Sequence, residues 1–244
     1  FDQPPHRADI AEQLDHRIDG GGLTFDWFSR DGRSQLGIYT SAQGITRNSY
    51  YGAERNADAY GATTDRTLVA GAQFDHDFAR LLFLPAKLTV GAEYNYNDLH
   101  DKYLGYGRDF RQTTRSGGLF FQNEWRSERL NLLIGGRLDK HNLVKRPVFS
   151  PRINLRYSPV AWIGLRASYS SGYRAPQAYN EDLHIDALDH KISIIRLDPN
   201  LRPEYSHSVS ASADFARSLG RVQANLLVEG FYTMLDDVFT LEKV

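Results

Sequence analysis

Cysteine is absent from the 244 residues, which excludes a disulfide framework and any thiolate metal site. Long apolar runs are missing as well. The longest are short, such as Leu81 to Pro85, far below the roughly 18 apolar residues that mark a membrane-crossing helix. Charge of one sign is not in excess: 29 basic and 30 acidic side chains leave a formal charge of −1. No nucleic-acid partner is therefore expected, since such a partner calls for a basic surface. Methionine occurs once, the chain opens on Phe1, and no leader-like stretch follows, so the expectation is a processed or excised chain. What is plentiful is tyrosine (14), phenylalanine (13) and glycine (20), a composition that suits strands and their turns.

Order along the chain is more informative. Alternation with a period of two recurs from end to end. Leu88, Val90, Ala92, Tyr94 and Tyr96 share one face of a segment whose other face carries Thr89, Gly91, Glu93, Asn95 and Asn97. Leu130, Leu132, Ile134, Gly136 and Leu138 oppose Asn131, Leu133, Gly135, Arg137 and Asp139. The same holds around Ile163–Tyr169, Ser206–Phe215 and Val222–Glu229. No helical stripe is sustained. The pattern predicts an all-β chain of about ten antiparallel strands, near 20–29, 34–44, 66–79, 87–97, 113–126, 130–141, 148–157, 161–171, 203–216 and 221–235. Each approaches or exceeds the ~9–11 residues a tilted strand needs to cross a bilayer.

The connections predicted by these bounds alternate in length. Short ones fall at 30–33, 81–86, 127–129, 158–160 and 217–220; the others are 45–65, 98–112, 142–147, 172–202 and whatever follows 235. Transmembrane β-barrels have short periplasmic turns and longer extracellular loops. That rule orients the strands and sends aromatics to both rims. Tyr94, Tyr96, Tyr169 and Tyr232 fall toward the outer one, and Trp27, Phe28, Phe78, Trp125, Tyr157 and Trp162 toward the inner one, as interfacial girdles require. Hydrocarbon offers no partner to backbone amides, so strands that cross it must all be paired. On this orientation both ends of the chain lie outside the membrane. The expectation is that 1–244 is one partial barrel domain, with further strands elsewhere.

Two segments carry a family resemblance. Ser170-Ser171-Gly172-Tyr173-Arg174-Ala175-Pro176 and Leu197-Asp198-Pro199-Asn200-Leu201-Arg202-Pro203-Glu204 resemble the FRAP-like and NPNLxPE-like boxes of TonB-dependent outer-membrane receptors. Ser150–Pro159 and Gly135–Asp139 look like common strands of the same barrels. The resemblance implies a barrel of 22 strands, a plug domain absent from this chain, and transport of an iron–siderophore complex, haem or cobalamin, with energy drawn through TonB. It implies outer-membrane lipid and a small-molecule nutrient as partners, no resident cofactor, and haem or an iron chelate only as cargo.

Within the boxes, Tyr173, Arg174, Ala175, Pro176, Pro199, Asn200, Leu201, Pro203 and Glu204 read chiefly as structural corners. Pro176 and Pro203 fix φ and remove donors where strands end, and Arg174 is placed to pair with Glu204 across the loop base. His184 and His190 lie between the boxes, where receptors of haem in this family carry an axial histidine; neutral imidazole suits that role. His100, Tyr103, Tyr106, Arg108 and Arg111 form a second ligand-binding candidate set, expected on a loop, because Tyr and Arg recur in binding hot spots. Tyr50, Tyr51, Arg55 and Tyr60 occupy a similar stretch, and Asn56, Asp58 and Asp65 are oxygen donors that match no standard calcium spacing. The metal content is left open. Two other classes compete: a barrel protease using Asp98, His100 and Asp101 with His184 and Asp186, and a passive porin. No GxSxG, HExxH or P-loop pattern occurs.

Overall fold

The computed structural model describes residues 3–178, 198, 200–220 and 222–240. They form one antiparallel sheet of ten strands in simple chain order: β1 (Ile10–Phe28), β2 (Ser34–Ala53), β3 (Tyr60–Leu81), β4 (Leu84–Tyr103), β5 (Arg108–Arg126), β6 (Leu130–His141), β7 (Val148–Val160), β8 (Ile163–Arg174), β9 (Glu204–Leu219) and β10 (Val222–Asp236). All neighbouring strands pair antiparallel, and no described helix is long and apolar enough to cross a membrane.

The register fixes two faces. Leu88, Val90 and Ala92 of β4 stand beside Phe74 and Ala72 of β3 on one side, and beside Phe121 and Leu119 of β5 on the other. Ile134 continues the row to Ile153, Tyr169 and Val209. Many of these large side chains are exposed, among them Leu23, Phe25, Leu119, Phe121 and Val228. The opposite face carries Asp75, Glu93, Asn95, Arg137, Asp139, Arg152 and Asp214 in the same registers. Of the predicted girdle residues, Phe28 departs: it pairs with Gln35, across from Trp27.

The polar face is concave. The Tyr39 hydroxyl on β2 donates to Glu93 on β4 at 2.6 Å, and Arg137 on β6 reaches Glu93 at 3.2 Å. Each contact passes over an intervening strand, so it spans about 9–10 Å of sheet. Glycine permits this. A Cβ at Gly71 would collide with the Tyr39 ring, and one at Gly118 with Arg137 and Asp139.

The strand bounds are the main correction to the sequence reading. β1 begins at Ile10, ten residues before the expected start at 20. The stretches 45–65 and 98–112, expected as long loops, are mostly sheet: the real tips are 54–59 and 104–107. The end asymmetry survives in weaker form. One end has connections 54–59, 104–107, 142–147 and 175–203; the other has 29–33, 82–83, 127–129, 161–162 and 220–221. β1 to β5 run 19, 20, 22, 20 and 19 residues, whereas β6 to β10 run 12, 13, 12, 16 and 15. The first five therefore rise well above the apolar band.

Candidate ligand site on the concave wall

Where β2 to β5 outgrow the apolar band, the concave face closes over a charged cluster. The Asp101 side chain is 0% exposed. It accepts from the Thr63 hydroxyl at 2.5 Å, with Arg108 Nη2 at 2.6 Å and Arg47 Nη2 at 3.5 Å. Arg47 also donates to Thr63 at 2.9 Å. Two guanidiniums flank the carboxylate, a charge prohibitive to bury alone, and the cluster keeps one positive charge in excess. Aromatic rings roof the cluster. The Arg108 guanidinium lies 4.8 Å from the centre of the Tyr103 ring, Tyr51 and Tyr103 stand 5.9 Å apart, and Tyr103 hydrogen bonds Ser49. Tyr106, in the 104–107 tip, donates to the Tyr51 carbonyl, and burial pushes its phenol above the usual value. It remains a neutral donor at physiological pH.

Below lies a recess of about 570 Å³. Its floor comes from β2 to β6, including Gln43, Asn95, Arg137 and Asp139, and its rim from Tyr173 to Ala178. This rim is the arginine–proline box. After β8 it turns inward and crosses the concave face as a strap. Ala175 packs with Val144 and Val148. Gln177 accepts from His141 Nε2 at 3.0 Å, while His141 Nδ1 accepts from the Leu143 amide at 3.1 Å, which places the ring proton on Nε2. Ala178 reaches β5 and β4: Gln112 exchanges two hydrogen bonds of 3.1 Å with its backbone, and its methyl group packs on Leu99. At the root of the strap Arg174 pairs with Glu204 at 3.7 Å, as its position predicts, and lies 5.2 Å from the Phe239 ring. Asn200 and Leu201 amides both bond to Asp198, forming the corner before β9.

The predicted candidates divide between two faces. Tyr103 and Arg108 join the buried cluster with Tyr106 beside them; they are held in sheet or packed against it, not displayed on a free loop. His100 and Arg111 are register partners on the opposite, convex face, where His100 meets Asp109 at 2.8 Å and Arg111 meets Asp98 at 3.3 Å. Of the alternative protease set, the described members do not converge: Asp98 and His100 lie on the convex face and Asp101 faces inward. The oxygen donors weighed for calcium are engaged separately. Asn56 accepts from the Asp58 amide, Asp65 accepts from Asn97, and no group of three His, Asp or Glu side chains converges among the described residues. His184, His190, Asp186 and Pro199 lie outside the described residues. Arg47, Glu93, Arg137, His141, Gln112 and Gln177 were missed. The alternation that assigned lipid-side residues also assigns Glu93, Arg137 and His141 to the polar wall and could have found these three, whereas Arg47 and Gln112 fall in stretches read as loops and Gln177 lies beyond β8.

A search of curated protein sequences returns no match. Solved structures do match. The siderophore receptor PirA from Acinetobacter baumannii superposes with a TM-score of 0.73 at 15% identity, over 92% of this chain and 35% of that one. The alcaligin outer-membrane receptor FauA from Bordetella pertussis gives 0.65 at 14%, over 95% and 39%. The hemophore receptor HasR from Serratia marcescens, in complex with its hemophore HasA and heme, gives 0.67 at 18%, over 92% and 40%. The chain thus spans 35–40% of the length of these proteins, and the likeness establishes the fold. The model of the TonB dependent receptor-like β-barrel matches residues 5–243, and with the polar concave wall, the apolar convex face and the inward-folded box in place, the chain belongs to that family.

Proposed function

We propose that this chain is the barrel part of an outer-membrane receptor that captures a bulky, scarce nutrient and imports it with energy delivered through TonB. The carrying observation is the concave wall. Its polar side chains are tied to one another across alternate strands, and a strap from β8 roofs a recess large enough for part of a ligand. The convex face, apolar over a band of about the height a bilayer needs, meets lipid. The end bearing 54–59, 104–107, 142–147 and 175–203 then faces the exterior, where loops supply specificity. A plug domain in the same receptor, outside residues 1–244, transmits the pull from TonB.

An iron–siderophore complex, haem or cobalamin are the cargoes considered, and the matched receptors named for siderophores and a haem carrier support the first two. The test is binding by the intact receptor, titrated separately with ferric siderophores, haemin and cobalamin. Saturable binding of one, with loss of growth on that nutrient when the receptor is deleted, is the expected result. Uptake that persists without TonB would overturn the reading in favour of a passive channel. For haem, a Soret shift abolished by replacing His184 and His190 together with alanine is expected; a shift that survives removes both histidines as ligands.

A further inference from the structure

The recess on the concave wall carries charge, but its cations are already taken. Four lining side chains are charged, Asp65, Arg137, Asp139 and Arg174. Arg137 is held by Glu93 at 3.2 Å and Asp139 at 2.7 Å, and Arg174 stands 3.7 Å from Glu204. Asp65 accepts from Asn97. With the two glutamates included, four carboxylates surround two guanidiniums, so the neighbourhood is acidic by two charges. His141 adds no cation, since Nδ1 accepts from the Leu143 amide and Nε2 donates to Gln177. The Arg47 and Arg108 guanidiniums belong to the cluster above. Their side chains are 7% and 6% exposed, and neither lines the recess.

The groups that stay available there are neutral. Gln43 on β2 and Thr114 and Ser116 on β5 line the recess, and among the described residues their side chains make no hydrogen bond. Thr114 is 6% exposed, a nearly buried hydroxyl on the recess wall. A polar group in such a place rewards a ligand that pairs with it and penalises one that leaves it dry. Ile45 and Leu99 add aliphatic surface to the same lining. Amide, hydroxyl and aliphatic groups together match an uncharged ligand built of amide and methylene units. An oxyanion calls instead for a free guanidinium or ammonium, and here it would bring like charge against Asp65, Asp139 and Glu93.

We propose that the recess seats an uncharged, amide- and methylene-rich face of the cargo, the chemistry of a ferric hydroxamate chelate, and turns away polyanionic chelates and the carboxylates of haem. The proposal rests on the receptor reading and narrows its cargo class. The experiment is calorimetric titration of the intact receptor in detergent with an uncharged ferric tris-hydroxamate, a trianionic ferric tris-catecholate and haemin. The first two share an octahedral iron(III) core and differ in charge. Unaltered receptor should bind the tris-hydroxamate at least about tenfold more tightly than either other probe, as like-charge contacts against the anions require. Gln43→Lys, at an exposed position, should narrow that ratio about tenfold by strengthening tris-catecholate binding. Ser116→Ala should weaken tris-hydroxamate binding about two- to tenfold and leave the tris-catecholate unchanged. Equal or tighter binding of the tris-catecholate or haemin by unaltered receptor overturns the charge selection while the receptor reading stands. A ratio untouched by both variants removes the recess as the seat. If folded receptor binds none of the three, the proposal falls. Uptake of another nutrient through TonB would then preserve the receptor reading, and its absence would end that reading too.

Discussion

The first five strands and the last five share one sheet and one alternation, yet they are finished differently. In β6 to β10 the strands stop soon after the apolar band, and the protein continues as connections and the strap. In β1 to β5 the sheet carries on, and the extension has a core of its own. Tyr103, Leu99, Thr63 and Asp101, fully buried and all on the concave face, belong to β3 or β4 above the band. The lesson is that a membrane-sized strand needs only its lipid-facing row, whereas a strand projecting beyond lipid must find burial on the concave side or leave its backbone to water. Here burial comes from aromatic rings, the Arg47–Asp101–Arg108 cluster and the strap.

The most severe way to break that contrast is Asp101→Ala, which strands two buried guanidiniums. The expected loss is about 3–5 kcal/mol, confined to the tall half: hydrogen exchange should accelerate in 45–65 and 98–112 while β6 to β9 keep their protection. Uniform acceleration would show that the extension has no stability of its own. Leu99→Ala acts at the joint between the halves, removing the surface on which Ala178 rests. A cost of about 2–4 kcal/mol is expected, visible in thermal unfolding and in faster proteolysis after Ala175. Arg174→Ala addresses the short half alone. The pair is half-exposed, so stability should fall by less than about 1 kcal/mol, while cleavage in 198–203 increases. The smallest effect concerns the Ser29–Arg33 turn, which joins β1 to β2 at the end of the tall half opposite its extension. There the Ser29 hydroxyl and the Arg33 amide hold the Asp31 carboxyl below its ordinary range. A depressed carboxyl stabilises the fold above its unfolded value and loses that contribution as pH falls through the folded one. Unaltered protein should therefore melt slightly above Asp31→Ala at pH 7, with the gap closing in acid below the ordinary aspartate range.

Legibility in the sequence followed the same division. Within the band, Leu130, Leu132, Ile134 and Leu138 contrast with Asn131, Arg137 and Asp139, and β6 was placed at its observed bounds. Above it, Thr46-Arg47-Asn48-Ser49 and Asp98-Leu99-His100-Asp101 offer no such contrast, because water lies outside and polar partners inside. These stretches consequently read as loops. The burial of Asp101 was hidden for a different reason: it depends on Arg47, 54 residues away, brought near only by two registers. The Arg174–Glu204 pair was legible because two boxes at a loop root must meet when β8 and β9 are neighbours. The separation of His100 from Asp101 was also within reach, since adjacent strand residues point to opposite faces, but it was obscured by treating 98–112 as a loop.

The two-way amide exchange between Gln112 and Ala178 has a consequence of its own. A side chain acts here as a borrowed length of strand, mooring the excursion that begins at β8 three strands away, about 14 Å across the sheet. The described strap, from Ala175 to Ala178, is then held in place partly by β5, a strand that contributes nothing to its sequence. Changes at residue 112 should loosen the strap over the recess, although Gln112 does not line that recess itself.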